Sequence, residues 1–159
     1  MVFSRIIGDY EVLLDKDDYY EFMSFRIYIR HSKRTNLKYA FIPHLKNGVW
    51  KTILLHRFIL PHITSGMVID HINGDGLDNR KCNLRICTQQ QNSLNRVSHK
   101  NSSSKYLGVS FHKNKYIARI KNKDTVLRLG SFTDEKLAAK AYNDAAIIYH
   151  GEYARLNII

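Results

Sequence analysis

Val68-Ile69-Asp70-His71-Ile72-Asn73-Gly74-Asp75-Gly76-Leu77-Asp78-Asn79-Arg80-Lys81-Cys82-Asn83-Leu84-Arg85-Ile86-Cys87-Thr88 is the stretch on which the reading of this chain turns. Two short apolar runs, at 67–69 and 84–87, bracket the turn-forming set Asn73-Gly74-Asp75-Gly76. Glycine there supplies positive φ, and the Asn and Asp side chains bond their own backbone. Thr88 suits the N-cap of a polar helix over 89–96. The local order is therefore strand, loop, strand, helix. Four side chains in it carry chemistry: Asp70, His71, Asn83 and Asn92. Hydrolysis of a phosphodiester needs a base for the attacking water, charge stabilisation at phosphorus and help for the leaving oxygen. Asp70 and His71 are neighbours on a strand, so they point to opposite faces unless the backbone bends. Asn83 falls where a returning antiparallel strand would run beside His71, and its amide or its backbone carbonyl could hold one ring nitrogen. Asn92, on the following helix, offers a neutral oxygen to a hard cation. One carboxylate and one amide suit Mg²⁺, which keeps waters and takes up substrate phosphate oxygens.

The surroundings of this stretch are basic. The 159 residues carry 25 Lys and Arg against 14 Asp and Glu, a net charge of +11. No acid occurs from residue 22 to 69, or from 79 to 123, so Asp70, Asp75 and Asp78 stand alone in a long cationic field. A basic surface without interspersed acids is what phosphate binding requires, because each neutralised phosphate releases condensed counterions. An isolated acid group inside it suggests a divalent metal facing phosphate. With 44% hydrophobic residues the chain can bury cores, which excludes disorder throughout. The best apolar stretch, 49–60, is broken by Lys51, His56 and Arg57, so no membrane span is expected. The N-terminus reaches Asp9 and Glu11 too early for a signal peptide, and two cysteines cannot staple a scaffold of this size. A reduced, cytoplasmic setting is expected, with no secretion.

Upstream, residues 24–30 alternate apolar with polar or basic, the period of a half-buried strand, and 38–42 and 49–55 read as further strands joined at Lys46-Asn47-Gly48. Arg26, Arg30, Arg57 and Arg85 are the basic positions expected to track DNA from this half. Downstream, residues 97–103 have the composition of a linker. Strands are expected at 106–112, 116–121 and 125–132, then a helix over 134–150 capped by Thr133 and closed by Gly151. Leu137, Ala138, Ala141, Ala145 and Ile148 would form its small-residue face.

The segments LLHRFIL, VIDHINGDGLDNRKCNLRICT and QQQNSLN, over residues 54–95, resemble the HNH endonucleases, specifically those found among phage and intron homing enzymes. The resemblance implies a ββα-metal fold, with His71 as general base, Asp70 and Asn92 as ligands of Mg²⁺ or Mn²⁺, and Asn83 orienting His71. Asn92 stands where the name-giving pattern has His, a change common in this subgroup. SKYLGV, YIARI, LRLGSF and AAKAYNDAAIIYHGEYARLN resemble the APETALA-two/ethylene-response-factor (ERF) DNA-binding domain over 104–157. That resemblance implies a three-stranded antiparallel sheet laid in the major groove and backed by one helix. Ser110, His112, Lys113, Arg119, Lys121 and Arg128 would face the groove. Arg119 and Arg128 suit guanine, whereas Lys113 and Lys121 suit phosphate. Several of these positions differ from the plant members, so no target sequence carries over.

The expected architecture is α+β: strand-rich N-terminal part and nuclease motif over 1–96, linker 97–103, DNA-binding domain 104–159. The expected function is a monomeric homing-type endonuclease on double-stranded DNA, nicking one strand, with no protein partner implied. The alternative is a non-catalytic DNA-binding regulator. An RNA substrate is disfavoured because side chains cannot read the deep major groove of A-form RNA.

Overall fold

The computed structural model describes residues 2–32, 37–96 and 102–159. The elements mix strands and helices in an α+β arrangement. Two compact units emerge, Met1–Gln89 and Gln90–Ile159. Among the described residues, no helix is long and apolar enough to cross a membrane.

The first unit opens with an antiparallel hairpin of β1 (Phe3–Ile7) and β2 (Tyr10–Leu14), followed by the short α1 (Lys16–Glu21). A three-stranded antiparallel sheet comes next: β3 (Tyr28–His31), β4 (Lys38–Lys46) and β5 (Val49–Leu54), in that spatial order. Asn47 and Gly48 join β4 to β5 with φ of 52° and 73°, the left-handed pair of a tight hairpin turn. The chain then turns into α2 (Leu55–Ile59) and reaches the antiparallel pair β6 (Met67–His71) and β7 (Leu84–Thr88). Val12, Leu14, Phe22, Ile27, Ala40, Ile42, Leu55 and Leu77 form one buried core, drawn from the hairpin, the segment between α1 and β3, β4, α2 and the β6–β7 loop.

The strand expected over 24–30 is shorter than its alternation suggests, with only Tyr28 onward pairing with β4. The alternation before it serves burial. Phe25 packs on the rings of Phe22 and Phe58, at centroid distances of 5.5 and 6.2 Å, and Ile27 enters the core. The Arg5 guanidinium donates to the carbonyls of Phe22 and Phe25, occupying acceptors that strand pairing would use.

The short α3 (Gln89–Asn92) runs across the boundary between the units and tightens into a 3₁₀ turn, Ser93–Asn95, so the helix expected over 89–96 is only partly α. Five of the seven residues expected as a linker, 97–101, lie outside the described residues. Ser104 is buried, donating to Glu135 Oε1 (2.8 Å) and accepting from Tyr106 N (3.1 Å).

β8 (Val109–His112), β9 (Lys115–Asn122) and β10 (Thr125–Phe132) form an antiparallel sheet with β9 central, covered on one face by α4 (Glu135–His150). The first strand begins at Val109 rather than 106, because Asn157 takes both backbone groups of Leu107: Oδ1 accepts its N–H (2.7 Å) and Nδ2 donates to its carbonyl (3.1 Å). The helix cap is Asp134, whose side chain accepts from Lys136 N, and not Thr133. Gly151 ends the helix at φ 57°. The buried face is Ala138, Ala139, Tyr142, Ala145 and Ala146, with Leu137 and Ile148 turned to solvent. Alanines let the helix lie close on the sheet. Gly108, at φ 75°, makes room for the Tyr142 ring, which any Cβ there would strike.

Candidate active site

The register of β6 and β7 sets Asp70 opposite Arg85 and His71 opposite Leu84. Alternation along a strand sends neighbouring side chains to opposite faces, and the two surroundings differ accordingly. Asp70 meets Arg85: its Oδ2 accepts from Nε at 3.0 Å and from Nη2 at 2.7 Å. Both side chains are nearly buried, 8% and 14% exposed. Charge-assisted forks of this kind are among the stronger hydrogen bonds in proteins.

His71 is buried among rings. His56, on α2, lies at a centroid distance of 4.8 Å and nearly perpendicular, at 85°. Tyr39, on β4, stands 6.0 Å from His71 and 6.2 Å from His56. Burial lowers the pKa of His71 below the ordinary histidine value, against the opposing pull of an Asn79 hydrogen bond and of Asp70, Asp75 and Asp78. Burial, then the neighbouring His71 and Arg57, pushes His56 down to about 3. Burial first, and Asp70 second, raises the Tyr39 phenol. Near neutral pH both imidazoles are therefore uncharged, and a neutral imidazole has the lone pair that a general base needs.

The loop after His71 is held by a dense set of bonds. Asn83, on a 3₁₀ turn (Lys81–Asn83), accepts from Asn73 N through Oδ1 (3.0 Å). Its Nδ2 donates to Asn73 Oδ1 (3.0 Å) and to the Asp78 carbonyl (2.8 Å), and its own carbonyl accepts from Ile72 N (2.8 Å). The carboxamide thus holds the loop and not the His71 ring, correcting the orienting contact expected of its amide. Asn79, a fully buried residue that sequence reasoning passed over, lies in the same loop, where its Nδ2 donates to the Leu77 carbonyl (3.1 Å). Asp75 shapes the loop by accepting from Leu77 N (3.0 Å). Asp78 takes a bidentate contact from Arg80, Nε to Oδ1 and Nη2 to Oδ2, both 2.7 Å, and Arg80 holds its pKa below the usual range. The loop is also stitched to β2: Leu13 N donates to Leu77 O and Asn79 N to Leu13 O, each at 2.9 Å. Gly76 packs so closely that a Cβ would collide with the Lys38 carbonyl and the Tyr39 ring.

Residues 56–94 match a family model described as HNH endonuclease. The match makes this segment similar to the HNH endonucleases. A protein of Acanthamoeba polyphaga mimivirus named "Uncharacterized HNH endonuclease L560" is 36% identical over 111 residues, which are 66% of this chain and 57% of that protein. The chain therefore spans little more than half the length of this relative. No solved structure matches it. The matched segment begins at His56. Its partner His71 lies fifteen positions on, at no helical or strand spacing, so only the folded chain brings the two together.

The remaining expected site residues of the HNH segment and its flanks fall as follows. Asn92 ends α3, half-buried, and belongs to the second unit, whereas Asp70, His71 and Asn83 belong to the first. Arg26, Arg30 and Arg57 are exposed. The Arg26 guanidinium lies over the Tyr28 ring (5.2 Å) and that of Arg30 over Phe41 (4.9 Å). Arg85 differs from them: its side chain is nearly buried, with its guanidinium on Asp70. In the second unit Ser110, His112, Arg119, Lys121 and Arg128 lie on the sheet face turned away from α4, and Lys113 sits in the β8–β9 turn at φ 47°. Arg119 and Arg128 are direct cross-strand partners, both exposed. Like charges placed opposite each other cost stability unless an anion answers them.

Among the described residues no group of three or more His, Cys, Asp and Glu could hold a metal ion, and both cysteines are free thiols. Asp70 and Asn92, the expected ligands, offer one carboxylate and one neutral amide. They fit a hard ion that keeps waters and phosphate oxygens in its shell.

Proposed function

We propose that this protein is a divalent-metal-dependent DNA endonuclease of the homing type that nicks one strand of double-stranded DNA. The observation that carries the reading is His71: a buried, neutral imidazole beside Asp70 at the end of a strand, inside a family-matched segment of a strongly basic chain. β6, β7 and α3 supply the order of a ββα-metal motif. In the proposed reaction His71 takes the proton of a water that attacks the scissile phosphorus in line. His56 and Tyr39 keep the His71 ring dry and fixed. Asn83 acts one step out from the ring by holding the loop that follows His71. Asp70 and Asn92 would hold Mg²⁺ or Mn²⁺, which supplies Lewis-acid stabilisation of the phosphate and of the departing 3′ oxygen.

The sheet of the second unit, read as an ERF-type domain, would supply recognition in the major groove. Its outer face carries Arg119, Lys121 and Arg128, and the acids of that unit lie elsewhere, in turns or on α4 and its flanks. Guanidinium groups grip guanine O6 and N7 bidentately, while Lys113 and Lys121 suit phosphate. One chain holds one such centre, which favours a monomer that cuts one strand per engagement.

The test is a nicking assay on supercoiled DNA with Mg²⁺, run beside His71→Ala and an EDTA control. Conversion to open circle in the wild type, lost in both controls, is expected. Salt-sensitive DNA retention without cleavage would favour the regulator reading. Simultaneous scission of both strands at low protein would overturn the monomeric nickase.

A further inference from the structure

The distal half of the β4–β5 hairpin stands clear of the core. All eight residues from Leu45 to Thr52 are exposed, on both faces of the paired strands. This ribbon has an apolar tip. Leu45 and Trp50 are cross-strand partners, 51% and 70% exposed, and Val49 beside them is 56% exposed. Single exposed apolar residues are ordinary. Three together at the end of a ribbon, including the chain's only tryptophan, are not explained by packing.

The surroundings say what such a tip would meet. Lys46 and Lys51 flank it, and Trp50 shares with Tyr28, Arg30, Pro43, Lys51 and Thr52 a shallow depression of about 640 Å³. Residues 22–69 contain no acid to answer these cations. The complement is a polyanion with flat apolar faces. A two-stranded ribbon fits a groove of duplex DNA, and apolar wedges on such ribbons enter between base steps and bend the helix.

We propose that the β4–β5 ribbon lies in a groove of duplex DNA and presses Trp50, backed by Leu45, against a base step, so that this hairpin is a second DNA-contact element beside the outer sheet of the second unit. The inference rests on the reading of the protein as one that binds duplex DNA. It places a target requirement on deformability at one step, where pyrimidine–purine steps unstack most readily.

The single tryptophan makes the test direct. The full-length His71→Ala protein is titrated with a short duplex that the wild type nicks and with a duplex of equal length that it does not. Binding is expected to quench Trp50 fluorescence and to protect it from iodide. Trp50→Ala in the same background should weaken binding about 5- to 150-fold, the range for one lost base–aromatic stack, and Trp50→Phe should keep most of the affinity. Because residue 50 is exposed, neither substitution disturbs the core. A duplex that binds without altering Trp50 fluorescence, or an unchanged affinity in Trp50→Ala, would overturn the wedge while leaving the nuclease reading intact. Fluorescence that follows protein concentration and not DNA would overturn it too, in favour of self-association. Failure of every duplex to bind would instead remove the DNA reading itself.

Discussion

Arg85→Met should be one of the most destabilising single changes in the first unit. The substitution leaves the aliphatic bulk but removes the guanidinium whose two donors sit on Asp70 Oδ2 at 3.0 and 2.7 Å. The Asp70 side chain is 8% exposed and that of Arg85 14%, so solvent screens little of the interaction. Breaking a buried pair from one side costs about 3–5 kcal/mol, because the remaining charge stays desolvated, whereas replacing both partners with apolar residues is often close to neutral. Arg85→Met is therefore expected to cost about 3–5 kcal/mol, and the double variant Asp70→Leu/Arg85→Met far less than the sum of the singles. The two units need not unfold together, so the measurement should be local: native-state hydrogen exchange at the β6 and β7 amides. Asp70→Leu and the double variant should both lose nicking, which separates the stability role of the pair from the chemical role of Asp70. An Arg85→Met cost below about 1 kcal/mol, or simple additivity across the cycle, would refute a desolvated, mutually dependent pair.

Four further outcomes follow from the same geometry. Asn83→Ala removes three loop hydrogen bonds made by its carboxamide, so it should slow nicking and raise exchange at Ile72 and Asn73, at a stability cost of about 1–3 kcal/mol. His56 has a folded pKa of about 3 against an ordinary 6.5, so below pH 6.5 the unfolded chain takes up the proton first. Stability then falls by up to about 1.4 kcal/mol per pH unit toward pH 3, and pH-dependent unfolding of His56→Gln should lose that component. Gly76→Ala drives a methyl into the Lys38 carbonyl and Tyr39 ring and should cost about 1–3 kcal/mol by overpacking, with reduced nicking from a displaced Tyr39; wild-type melting and activity would refute it. Replacing Arg128 with Ala should relax specificity at one base by about 1–3 kcal/mol, whereas Lys121→Ala should weaken all sequences alike and lower the salt slope by about 1.

The sequence revealed the order of elements better than their contacts, for physical reasons visible at particular residues. The turn at Asn47-Gly48, the loop at Asn73–Asp78 and the C-cap at Gly151 were legible because each depends on local backbone preference. The β6–β7 pair was legible because two apolar runs bracket a turn. Residues 24–27 misled because burial of Phe25 and Ile27 at the core copies the period of a strand, while Arg5 takes the carbonyls. The cap moved from Thr133 to Asp134 because either residue can serve and only the backbone path chooses. The His56–His71–Tyr39 cluster was not legible at all. Its members come from α2, β6 and β4, and no local rule relates them. Arg85 was read as a surface cation for a similar reason: its partner is a cross-strand residue fifteen positions away.

What adjacency on one strand achieves at Asp70 and His71 is a separation of environments. The proposed chemistry needs a charged oxygen donor and an uncharged nitrogen base at the same pH, within one site. Two such groups on one face would meet the same dielectric and the same neighbours. The pleat of β6 instead turns residue 70 toward the Arg85 fork and residue 71 toward the rings of His56 and Tyr39. A dry aromatic surround penalises an imidazolium, and burial holds His71 below its ordinary value. Opposed environments for paired titratable groups are how one fold runs acid and base roles together. The arrangement also predicts an asymmetry between the faces: moving charge into the ring side, as in Tyr39→Asp, would favour the protonated imidazole and disable the base. Loss of the fork would leave His71 neutral and take the guanidinium from Asp70. Nicking followed against pH separates the two, since the Tyr39 variant should gain activity as pH rises, whereas Arg85→Met should be impaired at every pH.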